Sequence, residues 1–440
     1  MPALGAVATA GALLAGLALT GRLDRIPLLS PALADTLEAL GAGALVGSWL
    51  PGGRLSAAAR GPGLPRRLTR TLPVVAGSAA ALTGVGAVLL RVTGTVTDPY
   101  PLSFALWAGL LLAAAIGVPF ALPGPGAVRR GLAGAAVPLT LAGAVLLVND
   151  EYGVWPTLGD LLGHTGMVDA SSVAGRAASH RGVLVAADPP ALRSHFRHRP
   201  GSVYLPAAYF TAARADLPVI IMLAGTPGSP IQWPTSGGAV RTADAYATAH
   251  RGRAPVLLFV DQNGSDTDDT ECVDGPQGNA ETFLTADVPA YVRQTLGIRS
   301  DPDRWAVAGF SEGGTCALDL TLGHPTLFRH LVDLGGDAQP ALGGPAHTLA
   351  ALFGGSVAAR DAHLPTRLLA GHRYPGVTAW FGVGIGDPDR IPVAHRLASL
   401  AGAAGIDSRE LTVPGGHNWQ FVTIAFAQLM PALCGQLGLS

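Results

Sequence analysis

Ser311 stands in Gly309-Phe-Ser311-Glu-Gly313-Gly314, directly after a short apolar run and directly before a helical pattern. A nucleophilic serine needs a sharp strand-to-helix turn that lifts its hydroxyl clear of a sheet, and side chains at the flanking glycines would collide there. The dipole of the helix that follows adds positive potential at the same point. Serine by itself is a poor nucleophile, so a base must come later in the chain. Of the 12 histidines, His417 in Val-Pro-Gly-Gly-His417-Asn-Trp has the required chain order and a glycine-bearing loop before the last helical pattern. A carboxylate must then orient the imidazole and stabilise its charged form. Asp387 in Gly-Ile-Gly-Asp387-Pro-Asp389 closes the strand before the histidine strand, with Asp389 and Asp337 as alternatives.

Attack on a carbonyl generates an oxyanion, which two backbone N–H groups must receive. One belongs to the residue after the nucleophile, Glu312, and the other to the loop Ala224-Gly-Thr226-Pro227-Gly228, where Thr226 holds the donor position and Pro227 cannot donate. Together these residue types specify acyl transfer through a covalent serine intermediate, a chemistry that calls for no cofactor and no metal. The acidic run from Asp261 to Asp274 does not fit a calcium loop, because Asp266 stands where glycine is needed and no glutamate stands at position twelve. The three cysteines, Cys272, Cys316 and Cys434, match no zinc spacing. In an oxidising compartment a Cys272–Cys316 disulfide would brace the site. Trp233 and Trp419 flank the site loops and are candidates to line a substrate pocket.

The elements that must hold these residues follow from periodicity. Residues 182–187 and 202–205 read as edge strands. Residues 217–223 and 254–260 are continuous apolar runs of strand length, as expected for strands buried on both faces. Further strands fit 304–308, 331–334, 377–385 and 408–413, with helices at 281–296, 313–322, 393–403 and 419–437. This alternation specifies a doubly wound, mostly parallel α/β sheet, with its chemistry at the C-terminal ends of the strands.

Upstream the chain changes character, which divides it into a region 1–150, a linker 151–180 and a domain 181–440. Four apolar segments, 3–20, 72–90, 102–122 and 131–148, approach the length of about 20 residues that a bilayer core requires. No ionisable residue falls inside them, which reads as an anchor rather than a transport path. A cleaved signal peptide is the competing reading of 3–20, but no basic residue precedes that run. Residues 28–50 carry Asp35 and Glu38 and read as an interfacial helix. Seven arginines lie between Arg22 and Arg70, two more at Arg129 and Arg130, and a single one, Arg91, in the loop between the second and third segments. Arginine-rich short loops stay in the cytoplasm, so the domain after residue 150 is expected outside. Net charge is −1 and no lysine occurs, which argues against a nucleic-acid partner.

Beyond these readings, Phe196-Arg-His-Arg199, Val203-Tyr-Leu-Pro206, Glu271-Cys-Val-Asp-Gly-Pro276, Gly309 to Ala317 and Gly415-Gly-His-Asn-Trp419 resemble the esterase D and antigen 85 mycolyltransferase group. The likeness is to actinobacterial members with several N-terminal transmembrane helices and covers about residues 180–440. It implies an α/β-hydrolase fold, a triad of Ser311, His417 and an acid, and ester hydrolysis or acyl transfer on a lipid or glycolipid ester. The chain departs from the group at Ala224-Gly225, where many α/β-hydrolases have His-Gly, and at Asp387, where the mycolyltransferases use glutamate.

Overall fold

The computed structural model describes residues 23–49, 66–92, 102–121, 127–168 and 181–439. The chain forms two compact units, Met1–Leu158 and Gly159–Ser440.

The first unit is helical: α1 (Pro31–Trp49), α2 (Arg66–Val92), α3 (Leu102–Ala121) and α4 (Ala127–Tyr152). Three stretches, Thr69–Leu89, Leu102–Phe120 and Arg130–Tyr152, are long and apolar enough to cross a membrane, and they coincide with the later three expected segments. The first, 3–20, lies outside the described residues. The interfacial reading of 28–50 is corrected. An interfacial helix would keep both acids in water, whereas α1 runs along α4 and buries Glu38 against Gly143. Small residues permit this close approach: a methyl group on Gly41 would come within 2.9 Å of the Thr140 backbone nitrogen. Trp49 Nε1 donates to the Gly117 carbonyl of α3 at 3.1 Å and ties the three helices together.

The second unit is built on an eight-stranded sheet. Its strands are β1 (Val183–Ala187), β2 (Gly201–Leu205), β3 (Val219–Leu223), β4 (Val256–Phe259), β5 (Trp305–Phe310), β6 (His330–Leu334), β7 (Thr378–Gly384) and β8 (Asp407–Val413). The spatial order is β1-β2-β4-β3-β5-β6-β7-β8. β2 runs antiparallel to both β1 and β4, and every other pairing is parallel. β2 is therefore an inner strand, contrary to the expectation of two edge strands. Its sequence could not distinguish them, since a five-residue run that mixes Gly and Ser with Val, Tyr and Leu looks the same in either place.

Helices cover both faces. They include α5 (Ala239–Ala249), α6 (Val288–Gln294), α7 (Glu312–Gly323), α8 (Pro345–Phe353), α9 (Ile391–Ala403) and α10 (Trp419–Gln436). The helix expected at 281–296 contains a π-helical stretch, Phe283–Asp287, ahead of α6. β3, β4, β5 and β6 are buried at every residue, which accounts for the uninterrupted apolar composition of β3 and β4; β6 buries His330 and Asp333 among its apolar residues. On one face Val219, Ile221, Leu258 and Val307 pack with Phe283, Ala317 and Leu320, fixing α7 to the sheet centre. The crossover order places the C-terminal ends of β3, β5, β7 and β8 along one edge of the sheet, where the loops of interest emerge.

Candidate active site

Ser311 occupies the turn between β5 and α7 with φ 56° and ψ −123°, a conformation that side-chain-bearing residues rarely adopt. Its N–H donates to the Leu334 carbonyl at 3.0 Å, which holds the turn against β6. The glycines are sterically required. A Cβ on Gly309 would collide with the Gly313 carbonyl, and one on Gly313 with the Leu223 and Ala224 carbonyls of β3 and its loop.

His417 and Asp387 are carried by the loops after β8 and β7. The Gly386 N–H donates to the Gly415 carbonyl at 2.8 Å and binds these loops to one another. His417 Nε2 lies 2.9 Å from Ser311 Oγ, and His417 Nδ1 lies 2.8 Å from Asp387 Oδ2. Asn418 accepts from the Phe421 N–H at 3.0 Å, capping α10 and fixing the residue after the histidine. Of the three acids the sequence left open, only Asp387 is brought to the imidazole. Asp389 is exposed, and Asp337 pairs with Arg390.

The loop after β3 lies over the nucleophile, close enough that a Cβ on Gly225 would stand 2.8 Å from Ser311 Cβ. The Thr226–Pro227 peptide bond is cis. Among the described residues no acceptor takes the N–H of Thr226, and the Glu312 N–H lies in the unpaired first turn of α7. Both donors expected from the sequence therefore remain available beside Ser311.

Two expectations fail. Trp233 is fully buried, donating from Nε1 to the Leu223 carbonyl at 2.7 Å and packing 5.5 Å from both Trp419 and Phe426. Trp419 is 4% exposed and meets Phe310 edge to face at 5.0 Å. Both rings support the site loops from beneath, where their large apolar faces are packed in the core and not presented to a substrate.

Residues to which the sequence reading gave no role at the site also shape it. Arg199 pairs with Asp261 and Asp266 and donates to the Gly228 carbonyl at 3.1 Å, pinning the loop after β3. Two carboxylates of the acidic run thereby share one guanidinium, and Asp274 accepts from the Thr282 N–H at 2.9 Å. The run is a hydrogen-bonded loop. Gln262 and Asn263, directly after β4, both reach the Glu312 carboxyl. Their positions at a strand's C-terminal end were the only available signal.

Cys272 and Cys316 lie with sulfurs 2.09 Å apart as a disulfide, joining the acidic loop to α7. Among the described residues, these two sulfurs with Glu312 are the sole grouping close enough to suggest a metal. Bonded sulfur offers no thiolate, so the group does not fit an ion. Buried carboxyls nearby are pushed upward. Desolvation, with the Asp269 charge next, holds Glu271 and Glu312 well above the usual carboxylate range, and burial raises Asp333 to about 7.

Strand order, elbow and hydrogen-bonded Ser-His-Asp line together describe an α/β-hydrolase-fold enzyme of the serine hydrolase or acyltransferase class. The chain belongs to the esterase family described as "Putative esterase", whose model matches residues 194–433. It is 30% identical over 376 residues to an uncharacterized protein of Corynebacterium glutamicum, covering 81% of this chain and 87% of that one, so the match reaches into the helical unit. Among solved structures it is similar to a ferulic acid esterase at 16% identity and TM-score 0.49, over 59% of this chain and 99% of that one. It is also similar to an S-formylglutathione hydrolase from Agrobacterium tumefaciens (18%, TM-score 0.47, 59% and 98%). A third likeness is to MPT51 of Mycobacterium tuberculosis (18%, TM-score 0.39, 57% and 98%).

Proposed function

We propose that this protein is a membrane-anchored serine esterase of the cell envelope, with Ser311 as nucleophile, His417 as base and Asp387 as the orienting acid. The observation that carries the reading is the unbroken line from Ser311 Oγ through both imidazole nitrogens to Asp387, with links of 2.9 and 2.8 Å. His417 Nε2 takes the hydroxyl proton as Ser311 Oγ attacks the ester carbonyl. The backbone N–H groups of Glu312 and Thr226 receive the oxyanion. His417 then returns the proton to the departing alcohol, and water, activated by the same imidazole, releases the acid.

Lipid-type or glycolipid esters suit the surroundings. Three apolar helices support an anchor, and Ile385 and Ile391, on either side of Asp387, are 62% and 39% exposed. The arginine distribution favours an extracytoplasmic domain. Acyl transfer to a sugar hydroxyl would use the same residues with the hydroxyl in place of water, and product analysis with added trehalose separates the two.

The test is labelling of intact cells with a membrane-impermeant fluorophosphonate. Wild type should label, while Ser311→Ala and His417→Ala should not. Labelling only after lysis would refute the outside location. Failure to label in either preparation, together with inertness on an ester panel, would refute catalysis in favour of a non-catalytic binding module.

A further inference from the structure

Resting on the proposed catalytic reading, we infer that the Glu312 carboxyl group, in its uncharged form, is the positioning residue that holds the two oxyanion donors at their working separation. Its side chain does not point to solvent: it opens a helix that is buried from Glu312 to Leu322, folds beneath the site and is 5% exposed. Glu312 Oε2 accepts from Gln262 Nε2 at 2.8 Å, from Asn263 Nδ2 at 3.1 Å and from the Thr226 hydroxyl at 3.3 Å. Asn263 Nδ2 also donates to the Thr226 hydroxyl at 2.8 Å, and Gln262 Nε2 to the Ala224 carbonyl at 2.6 Å. One carboxyl thus ties the nucleophile turn, the end of β4 and the loop after β3. The residue that gives one oxyanion donor from its backbone grips, through its side chain, the residue that gives the other.

The environment also decides the charge. Three donors converge on Oε2, while Oε1 faces Cys316 Sγ at 3.4 Å. That sulfur is bonded to Cys272 and carries no proton to give, so Oε1 is the natural seat of one. The titratable neighbours are Asp269 and Glu271, both acidic, with Asp337 beyond them; Gln262, Asn263 and Thr226 are neutral. No cation reaches the carboxyl among the described residues. A buried, unpaired negative charge is unfavourable, and beside a forming oxyanion it would also oppose the reaction. Burial and the Asp269 charge raise the group well above its ordinary range, against the three hydrogen bonds that lower it. The uncharged form is therefore the active one, and activity is lost as pH rises through the Glu312 transition.

The experiment measures kcat and KM of the full-length protein in detergent with a short p-nitrophenyl ester, from about pH 6 to about pH 10. The scan starts near the ordinary histidine range and runs to the alkaline side, the direction in which burial moves the carboxyl. Wild type should show an alkaline decline in kcat. Glu312→Leu should lose about 10²- to 10³-fold in kcat, the cost of misplacing one oxyanion donor, with KM changed less than about threefold. Glu312→Gln keeps the acceptor oxygen but cannot ionise, so it should recover at least about tenfold of that loss and show no alkaline decline. Asp269→Asn, which removes the neighbouring charge that raises Glu312, should move the wild-type decline to lower pH without abolishing it. If the leucine variant does not fold, the glutamine profile alone decides. An active wild type whose alkaline decline persists in Glu312→Gln overturns the inference and leaves the triad standing. A wild type inert to fluorophosphonate overturns the triad, and this inference with it.

Discussion

Asp387→Asn offers the sharpest test of the site. Asp387 and His417 side chains are 11% and 28% exposed, and the acid accepts from Nδ1 at 2.8 Å. In the proposed mechanism His417 takes the serine proton and forms an ion pair whose charge centres are about 4 Å apart; at the effective dielectric of about 20 suited to such partly covered pairs, it is worth about 4 kcal/mol. Each 1.36 kcal/mol is tenfold in rate, so losing the pair should lower kcat by about 10³-fold. Asparagine can also donate to the imidazole and trap the wrong tautomer, which pushes the loss toward about 10⁴-fold, the value seen when a serine protease loses this charge. KM should hardly move, because the charge exists only after proton transfer. The assay is p-nitrophenyl ester hydrolysis by the full-length protein in detergent, with Asp389→Asn and Asp337→Asn alongside. Both controls should stay within about threefold of wild type, a small fraction of the pair's value. A loss in Asp389→Asn equal to that in Asp387→Asn would refute the assignment of the acid.

Other outcomes follow from the packing and electrostatics. Replacing Cys272 and Cys316 by serine opens a cross-link between residues 44 apart and should destabilise the hydrolase unit by about 4 kcal/mol in a chain-entropy account, read as a lower thermal midpoint that reductant no longer shifts. Asp333 is buried and raised from 3.8 to about 7, so the folded state holds a proton that the unfolded chain releases, and stability should fall as pH rises between those values. Asp333→Asn should remove that slope, matching wild type near pH 4 and exceeding it by up to about 4 kcal/mol near pH 8, as followed by denaturant unfolding. Trp233→Ala should cost about 3–5 kcal/mol of stability and leave the KM of whatever still folds unaltered, whereas a raised KM would restore it to a substrate pocket.

The nucleophile turn was legible because its requirement is steric and local: two glycines around a serine, between a strand and a helix, satisfy it within six residues. His417 and Asp387 could be placed by chain order, although only the Gly386–Gly415 hydrogen bond shows why Asp387 rather than Asp389 faces the ring. The strands buried on both faces announced themselves by composition. What the sequence could not convey were contacts created by non-consecutive neighbours. β4 lies outside β3, so Gln262 and Asn263 arrive under Glu312 from far along the chain. Trp233 meets Phe426 for the same reason, and its indole reads identically whether it faces a ligand or a core. In the helical unit, hydropathy identified the three apolar spans but misjudged 28–50, because Glu38 is buried by a glycine on another helix and not by any feature of its own segment.

The proposed reacting groups sit in the loops that follow β5, β7 and β8, with Ser311 and His417 separated by 106 residues. None of them is competent until the parallel pairings across the sheet are complete, and such long-range pairings are the slowest to form. A serine-directed probe therefore counts finished molecules rather than polypeptide. With the domain exported as proposed, the ratio of labelled to total chain would gauge how faithfully the cell delivers and matures it, and a variant that labels poorly but turns over normally per labelled site would be a maturation defect rather than a catalytic one.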